Sequence, residues 1–440
     1  MKITGFITEY NPFHNGHLYH MEQAKQLTGA DYTVALMSGS HVQRGEPAVF
    51  DKYTRTKMAL SAGVDLVLEL PAAFSTASAM EFASYGISLF TALGAVDSVV
   101  FGSECGSLAP LQAAAKLLSE EAPEFRAALQ QYIKSGMTYP QARAAALIQT
   151  AAPKNTAGLE QTVMPESAAA LDRQELEALL SSPNNILGIE YLRAAQRLKS
   201  HLSFYTVRRE GSHYHENCIL ADSNFPSASA LRQELKKEAA LSAGSSTIQT
   251  AKSFSGLIPD SCLSILKDEI PVFADDYSLL LQDQILRLQA VKNEEMPDIA
   301  DFSPELLAHL KKSGPWPASY TKRVQNLKSR QFTYTRISRA LLHLLLDIHT
   351  RDIEQWKAEG YAPYARILGF RRESAPLLKE LKKRSSIPFI NKTADAPKCI
   401  SASALRMLEQ EIRVSHLYQS VKGQKGGQFR NEYTEGVIIL

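Results

Sequence analysis

Through the first two hundred residues, short apolar runs alternate with longer stretches whose apolar positions recur at helical spacing. Ile3–Thr8, Tyr32–Met37, Val64–Leu70, Val96–Phe101 and Leu202–Val207 are of strand type. Gly16–Leu27, Tyr53–Ala62, Ser78–Leu93 and Leu108–Leu118 carry the helical spacing. Short strands separated by helices of roughly 10–15 residues predict βαβ units, and therefore an α/β chain with a doubly wound parallel sheet. Such a sheet binds its ligands beyond the carboxyl ends of its strands. The notable loops begin there: EYNPFHNGH after the first strand, SGSHVQRGEP after the second and GSECG after the fourth.

Further along, residues 110–150 have helical character, and the polar, proline-containing segment 151–170 is expected to be a loop. A helix capped by Ser181, Ser182 or Asn184 should then run to about Leu198. The hexapeptide SASALR occurs twice, at Ser227–Arg232 and at Ser401–Arg406, and both copies suit a helix N-terminus. These patterns suggest a nucleotide-binding catalytic unit over 1–240 and a mainly α-helical unit over 245–440.

Composition narrows the picture. The 440 residues are 45% hydrophobic and 21% charged, as in ordinary globular proteins. Cys105, Cys218, Cys262 and Cys399 are far apart and form no CxxC pair, which argues against a disulfide scaffold or a cysteine zinc site. The N-terminus lacks the long apolar core of a signal peptide, and no apolar stretch approaches the ~20 residues of a membrane helix. A cytoplasmic protein without a membrane partner is expected, and no feature points to an obligate protein partner. The net charge of +2 hides a local excess: Tyr320–Arg384 holds 15 Lys/Arg against 6 Asp/Glu. Tyr320, Phe332, Tyr334, Trp356, Tyr361, Tyr364 and Phe370 are interleaved with these cations. That combination suits looped RNA, although a solvated helical face has the same signature.

The stretch EYNPFHNGH places two of eleven histidines three apart around a glycine. Pro12 and Asn15 mark a turn, Gly16 permits close backbone approach, and a helix should start near His17. A helix N-terminus offers free N–H groups and partial positive charge to phosphate. Two imidazoles there could stabilise phosphoryl charge in a transition state. A zinc pair would want a third ligand, and none lies nearby in sequence; packing or capping histidines are the other alternative. Arg44 could clamp a carboxylate or phosphate, or merely close a turn. Gly102 could let a purine or ribose lie against the backbone, and Asn184, Asn185, Arg208 and Arg209 are candidate base and phosphate contacts. His213, His215 and Glu216 have the composition of a metal cluster, but a surface loop is the simpler expectation. No P-loop, GxSxG or Cys/His nucleophile motif occurs, and no resident metal site is expected.

Taken in order, EYNPFHNGHLYH, MSGSHVQRGEPAVFDKYTRTKMAL, GVDLVLELP, FGSE and SPNNILGIEYL resemble successive blocks of the bacterial tRNA(Met) cytidine acetate ligase family. That family lies within the HxGH nucleotidyltransferase superfamily, whose fold is Rossmann-type. KSRQFTYTRISRALLHLLL and PYARILGF extend the resemblance through the basic half. It implies a two-step ligase. Acetate would attack the α-phosphate of ATP to give acetyladenylate and pyrophosphate. The wobble cytidine of elongator tRNA(Met) would then take the acetyl group as N4-acetylcytidine, releasing AMP.

The resemblance places ATP contacts on Ile7, Thr8, Glu9, Tyr10, Asn11, Pro12, Phe13, His14, Asn15, Gly16, His17, Leu18, Tyr19 and His20, and on Gly102, Asn184 and Arg209. His14 and His17 become the candidate catalytic pair, with Mg2+ expected on the triphosphate. Lys328, Arg330, Arg336 and Arg339 are the candidate tRNA contacts. The superfamily's late phosphate-binding element is matched here only by SASALR, without a lysine, which leaves Arg232 without an assigned role. Two alternatives stay open: a superfamily enzyme acting on a small molecule or carrier thiol, and a non-catalytic RNA-binding protein.

Overall fold

The computed structural model describes residues 1–120, 122–151, 173–209, 227–241, 254–267, 269–290 and 298–440. The expected loop 151–170 and the segment with His213, His215, Glu216 and Cys218 lie outside these, apart from Ala151. Five strands form the parallel body: β1 (Ile3–Thr8), β2 (Tyr32–Ser38), β5 (Leu66–Leu70), β6 (Ser98–Ser103) and β7 (Ser203–Arg208). A small antiparallel hairpin, β3 (His41–Val42) with β4 (Glu46–Pro47), sits in the loop after β2. The main sheet is completed by β8 (Ala365–Phe370), β9 (Phe389–Ile390) and β10 (Ile438–Ile439), in the order β10-β8-β5-β2-β1-β6-β7, with β9 also pairing β8.

Alternation along each strand divides the core. Val34 and Leu36 of β2 point to one face with Leu66, Leu68 and Val99, while Ala35, Met37, Val67 and Val100 point to the other. Both faces must therefore be covered, as in a doubly wound sheet. Helices α4 (Ala79–Leu93), α5 (Leu108–Glu120) and α9 (Pro183–Leu198) cover the first face. Helices α1 (Asn15–Thr28), α2 (Lys52–Ser61) and α10 (Ala228–Leu241) cover the second. Gly188 of α9 lets that helix sit tight on β6: a Cβ there would lie 2.4 Å from the Phe101 ring.

The sheet crosses the expected boundary at 240–245. The described residues of 245–440 are mainly helical, yet they supply β8, which pairs antiparallel to β5. The reason is local to β5: LVLEL is buried throughout, so its outer edge needs a partner for its backbone groups. A charged cluster seals this junction. Lys52 Nζ lies 2.5 Å from Glu69 Oε1 and 2.8 Å from Glu432 Oε1, and Arg366 bonds Glu69 at 2.8 Å and also Glu432. All four side chains are buried.

The interleaved aromatics of the basic stretch also differ from expectation. Tyr320, Phe332, Trp356, Tyr361 and Tyr364 are buried in the core, at most 7% exposed. Tyr320 and Trp356 lie on the inward faces of helices and the other three in loops packed on the core, so these five offer no rings to a base. Most of the basic residues of the stretch lie on its outer side, as periodicity at 3.6 requires, but Arg323 and Arg366 are buried.

Candidate active site

Chain order reverses between β1 and β6: β1, β2 and β5 run to one side of the sheet, β6 and β7 to the other. The carboxyl ends of strands at such a switch point leave a crevice. Here it is a cavity of about 290 Å3. Its floor is Phe6–Tyr10 from β1 and the following residues, with Val100–Gly102 and Val207–Arg209 from β6 and β7. His14, Gly16, His17, Tyr19 and His20 close one side, and Asn184, Leu187 and Tyr191 of α9 another.

The histidine corner is built by its own backbone. Tyr10 adopts φ +45, and the chain turns into α1 with His14 as the N-cap. Nδ1 of His14 accepts from Gly16 N at 3.0 Å, and Nδ1 of His17 accepts from His14 N at 3.3 Å. The two rings stack with centroids 3.8 Å apart. Because each Nδ1 is an acceptor, each neutral ring carries its proton on Nε2. Two Nε2–H donors therefore serve the cavity that both rings line. Burial, then the charges of Arg209 and Arg232, push the His14 imidazole down to about 3. Burial first, then His14, Arg209 and His20, hold His17 well below its usual value. Burial and Arg209 take His20 to about 4. The corner thus holds neutral imidazoles beside cations, a chemistry suited to an anion. The capping alternative holds: the nitrogen that caps is Nδ1 in both rings, which leaves each Nε2 outside the cap.

The far side is equally ordered. Glu104 sits at the N-terminus of α9, accepting from Asn184 Nδ2 at 2.7 Å and Asn185 N at 2.9 Å. Asn185 Oδ1 returns the contact to Glu104 N at 2.9 Å. Glu104 therefore aims Asn184, while Asn185 locks the loop and stays out of the cavity lining. Gly102 faces Arg209: a Cβ there would stand 3.3 Å from Arg209 Cγ. A side chain at 102 would crowd the Arg209 stem.

Of the residues named from sequence, Ile7, Thr8, Glu9, Tyr10, His14, Gly16, His17, Tyr19, His20, Gly102, Asn184 and Arg209 line the cavity. Asn11, Pro12, Phe13, Asn15 and Leu18 do not. Phe13 is wholly buried and Leu18 packs on the same cluster. Asn11 Oδ1 accepts from Val49 N at 2.7 Å, and Asn15 Nδ2 donates to Gly256 O at 2.8 Å. They shape the corner from behind. Arg232, without a role from sequence, reaches the cavity and donates to Asn11 O at 2.8 Å. Sequence reasoning missed Phe82, Leu187 and Tyr191, which carry only the signal of core residues on helices.

On the basic surface the four candidates separate. Lys328 and Arg330 are exposed and line a groove of about 610 Å3 shared with the 135–138 turn. The Arg336 guanidinium lies 5.1 Å from the Phe332 ring centre. Arg339 is engaged by Asp301, Nε to Oδ2 3.1 Å, which weakens its case as a phosphate contact. Among the described residues no group of three or more His, Cys, Asp or Glu could hold a metal ion, and no helix is long and apolar enough to cross a membrane.

A mononucleotide-sized crevice at a switch point, with a histidine-capped helix aimed into it, is the arrangement of a nucleotidyltransferase. The family model for HIGH Nucleotidyl Transferase matches residues 1–432. A tRNA(Met) cytidine acetate ligase of Acetivibrio thermocellus is 35% identical over the full length of both chains, and one of Clostridium novyi is 36% identical, also over both full lengths. The chain belongs to the tRNA(Met) cytidine acetate ligase family. The crystal structure of Thermotoga maritima TmcAL bound with alpha-thio ATP matches the whole chain with a TM-score of 0.84 at 28% identity. Its apo form I matches with 0.86.

Proposed function

We propose that the protein activates acetate with ATP and transfers the acetyl group to N4 of the wobble cytidine of elongator tRNA(Met). In the first step an acetate oxygen bonds to the α-phosphorus, the bond from that phosphorus to the bridging oxygen breaks, and pyrophosphate leaves. In the second the cytidine amine takes the acetyl group, loses a proton and releases AMP. The carrying observation is the stacked His14–His17 pair, whose backbone-fixed Nδ1 atoms leave both Nε2–H groups for phosphoryl oxygens. Fixed donors in a partly desolvated site stabilise developing charge without reorganising. Acetate and the cytidine amine are themselves the nucleophiles, so positioning and electrostatics supply the rate.

Arg209 and Arg232 stand where the triphosphate's charge would lie, and Asn184 and Gly102 flank the nucleoside end. Glu9 lines the cavity wall, and a Mg2+ ion brought with the nucleotide would supply charge neutralisation to the phosphates beside it. Lys328 and Arg330 are the best-placed tRNA contacts on the basic surface. A cytosolic location follows from a tRNA substrate. The small-molecule alternative leaves that surface without a purpose. The non-catalytic alternative leaves the doubly fixed histidine pair without one.

The experiment is ATP–pyrophosphate exchange with and without acetate, followed by transfer of labelled acetate to purified elongator tRNA(Met). Acetate-dependent exchange with transfer supports the reading. Exchange without transfer favours a small-molecule enzyme, and no exchange under any condition favours the RNA-binding protein.

A further inference from the structure

The cavity has a wall that the nucleotide contacts do not use. Gln43 and Arg44 line it from the tip of the β3–β4 hairpin, beside Glu9 at the end of β1. Gln43 N donates to Glu9 Oε1 at 3.0 Å, whereas Gln43 Nε2 is buried and meets no acceptor among the described residues. A buried amide donor without a partner is rare, and at a cavity wall it marks a place for an acceptor. Beneath the loop lies the guanidinium of Arg55, wholly buried. Its hydrogen bonds run to the main-chain carbonyls of Phe50 at 2.9 Å, Glu9 at 2.6 Å, Ser38 at 3.0 Å and Gly39, so it fixes the two loop ends and adds positive field.

Arg209 and Arg232 depress the histidine corner, and Arg44 lines the cavity from the hairpin. The cavity therefore has cations on two sides, one at the phosphate corner and one on the hairpin. An anionic nucleophile that must approach an anionic phosphoryl group needs a cation of its own.

We propose that Gln43 and Arg44 form the monocarboxylate subsite, in which they hold acetate by one oxygen and present the other to the α-phosphorus. This deepens the ligase reading and rests on it. Arg44 supplies a charge-assisted hydrogen bond, Gln43 Nε2 a second donor, and the geometry leaves one carboxylate oxygen for attack. The hairpin is rigid enough to aim them. The Gly45 carbonyl accepts from Tyr320 Oη at 3.1 Å and Ser338 Oγ at 2.8 Å. Gly45 has φ +78, and a Cβ there would come within 2.4 Å of Arg339 N, so backbone packs directly on the basic helix. The hairpin is thus anchored to the helix Tyr334–Leu346, which carries Arg336 and Arg339.

The test measures acetate-dependent ATP–pyrophosphate exchange by the full-length protein, with acetate and ATP varied separately. Arg44→Ala should raise KM for acetate at least about tenfold, and Gln43→Ala roughly three- to tenfold, with KM for ATP changed less than about twofold. Arg44→Lys, which keeps the charge, should recover part of the loss. A folding defect lowers kcat and leaves this KM split unmoved. An unchanged KM for acetate, or an equal rise in KM for ATP, overturns the subsite. If the unsubstituted protein shows no acetate-dependent exchange, the ligase reading falls and the subsite with it. That result is distinct from an active parent whose variants bind acetate normally.

Discussion

The two copies of SASALR begin helices in the same way and then serve different ends. Ser227 Oγ accepts from Ala230 N at 3.1 Å, and Ser401 Oγ accepts from Ala404 N at 3.2 Å. From there the surroundings diverge. The first copy buries Ala230 and Leu231 against the α1 side of the sheet, which turns Arg232 into the cavity. The second buries Ser403 and Ala404, one position earlier, and leaves Arg406 exposed with Gln355 at 2.7 Å. Six identical residues determine a cap; which face is buried determines whether the arginine reaches the cavity.

The strongest way to break that lesson is to remove context where it matters most. Lys52 and Glu69 read in sequence as ordinary polar positions, yet they sit in the buried cluster with Arg366 and Glu432. Taking away one member strands the others without water, so Lys52→Met should destabilise by about 3–5 kcal/mol in urea unfolding. A loss below about 1 kcal/mol would mean that the cluster relaxes freely. Next comes the hexapeptide itself. Arg232→Ala should slow acetyladenylate formation roughly 10- to 100-fold in single-turnover assays, against less than about twofold for Arg406→Ala. Equal effects would erase the distinction between the copies.

A third effect concerns protons. His14, His20 and His41 are held neutral by burial at values of about 3, 4 and 3. Below about pH 6.5 the unfolded chain takes up protons that the folded one refuses, so stability falls with pH from there towards pH 4. The slope is at most about 1.4 kcal/mol per pH unit for each histidine. Above pH 6.5 these groups contribute no pH dependence. Thermal midpoints between pH 7 and 5 should show the fall, and ATP should reduce it by stabilising protonated His14. A flat profile without ATP would contradict buried neutral histidines. The smallest effect is the cap: Ser227→Ala and Ser401→Ala should each cost about 1 kcal/mol, equally, because local structure is what the copies share.

The same contrast separates what could be read in advance from what could not. The five parallel strands and their helices were legible because each is a continuous run with its own period; β1 begins and ends where expected. The histidine corner was legible because turn, caps and ligands are contiguous. β8 was not, since ARILGF becomes a strand through the unsatisfied edge of β5, almost three hundred residues away. The aromatics of 320–384 mimicked an RNA surface because composition ignores which face a ring occupies. Asp301's hold on Arg339 and the apolar wall of Phe82, Leu187 and Tyr191 are likewise tertiary facts.

The central claim is that His14 and His17 act through their Nε2–H groups on the α-phosphate. Single-turnover formation of acetyladenylate by His14→Ala and His17→Ala, with tRNA affinity measured alongside, tests it most directly. Each variant should lose roughly 10- to 1000-fold in rate while binding tRNA as the parent does. Near-parental rates in both variants, or tRNA binding lost together with the rate, would contradict it.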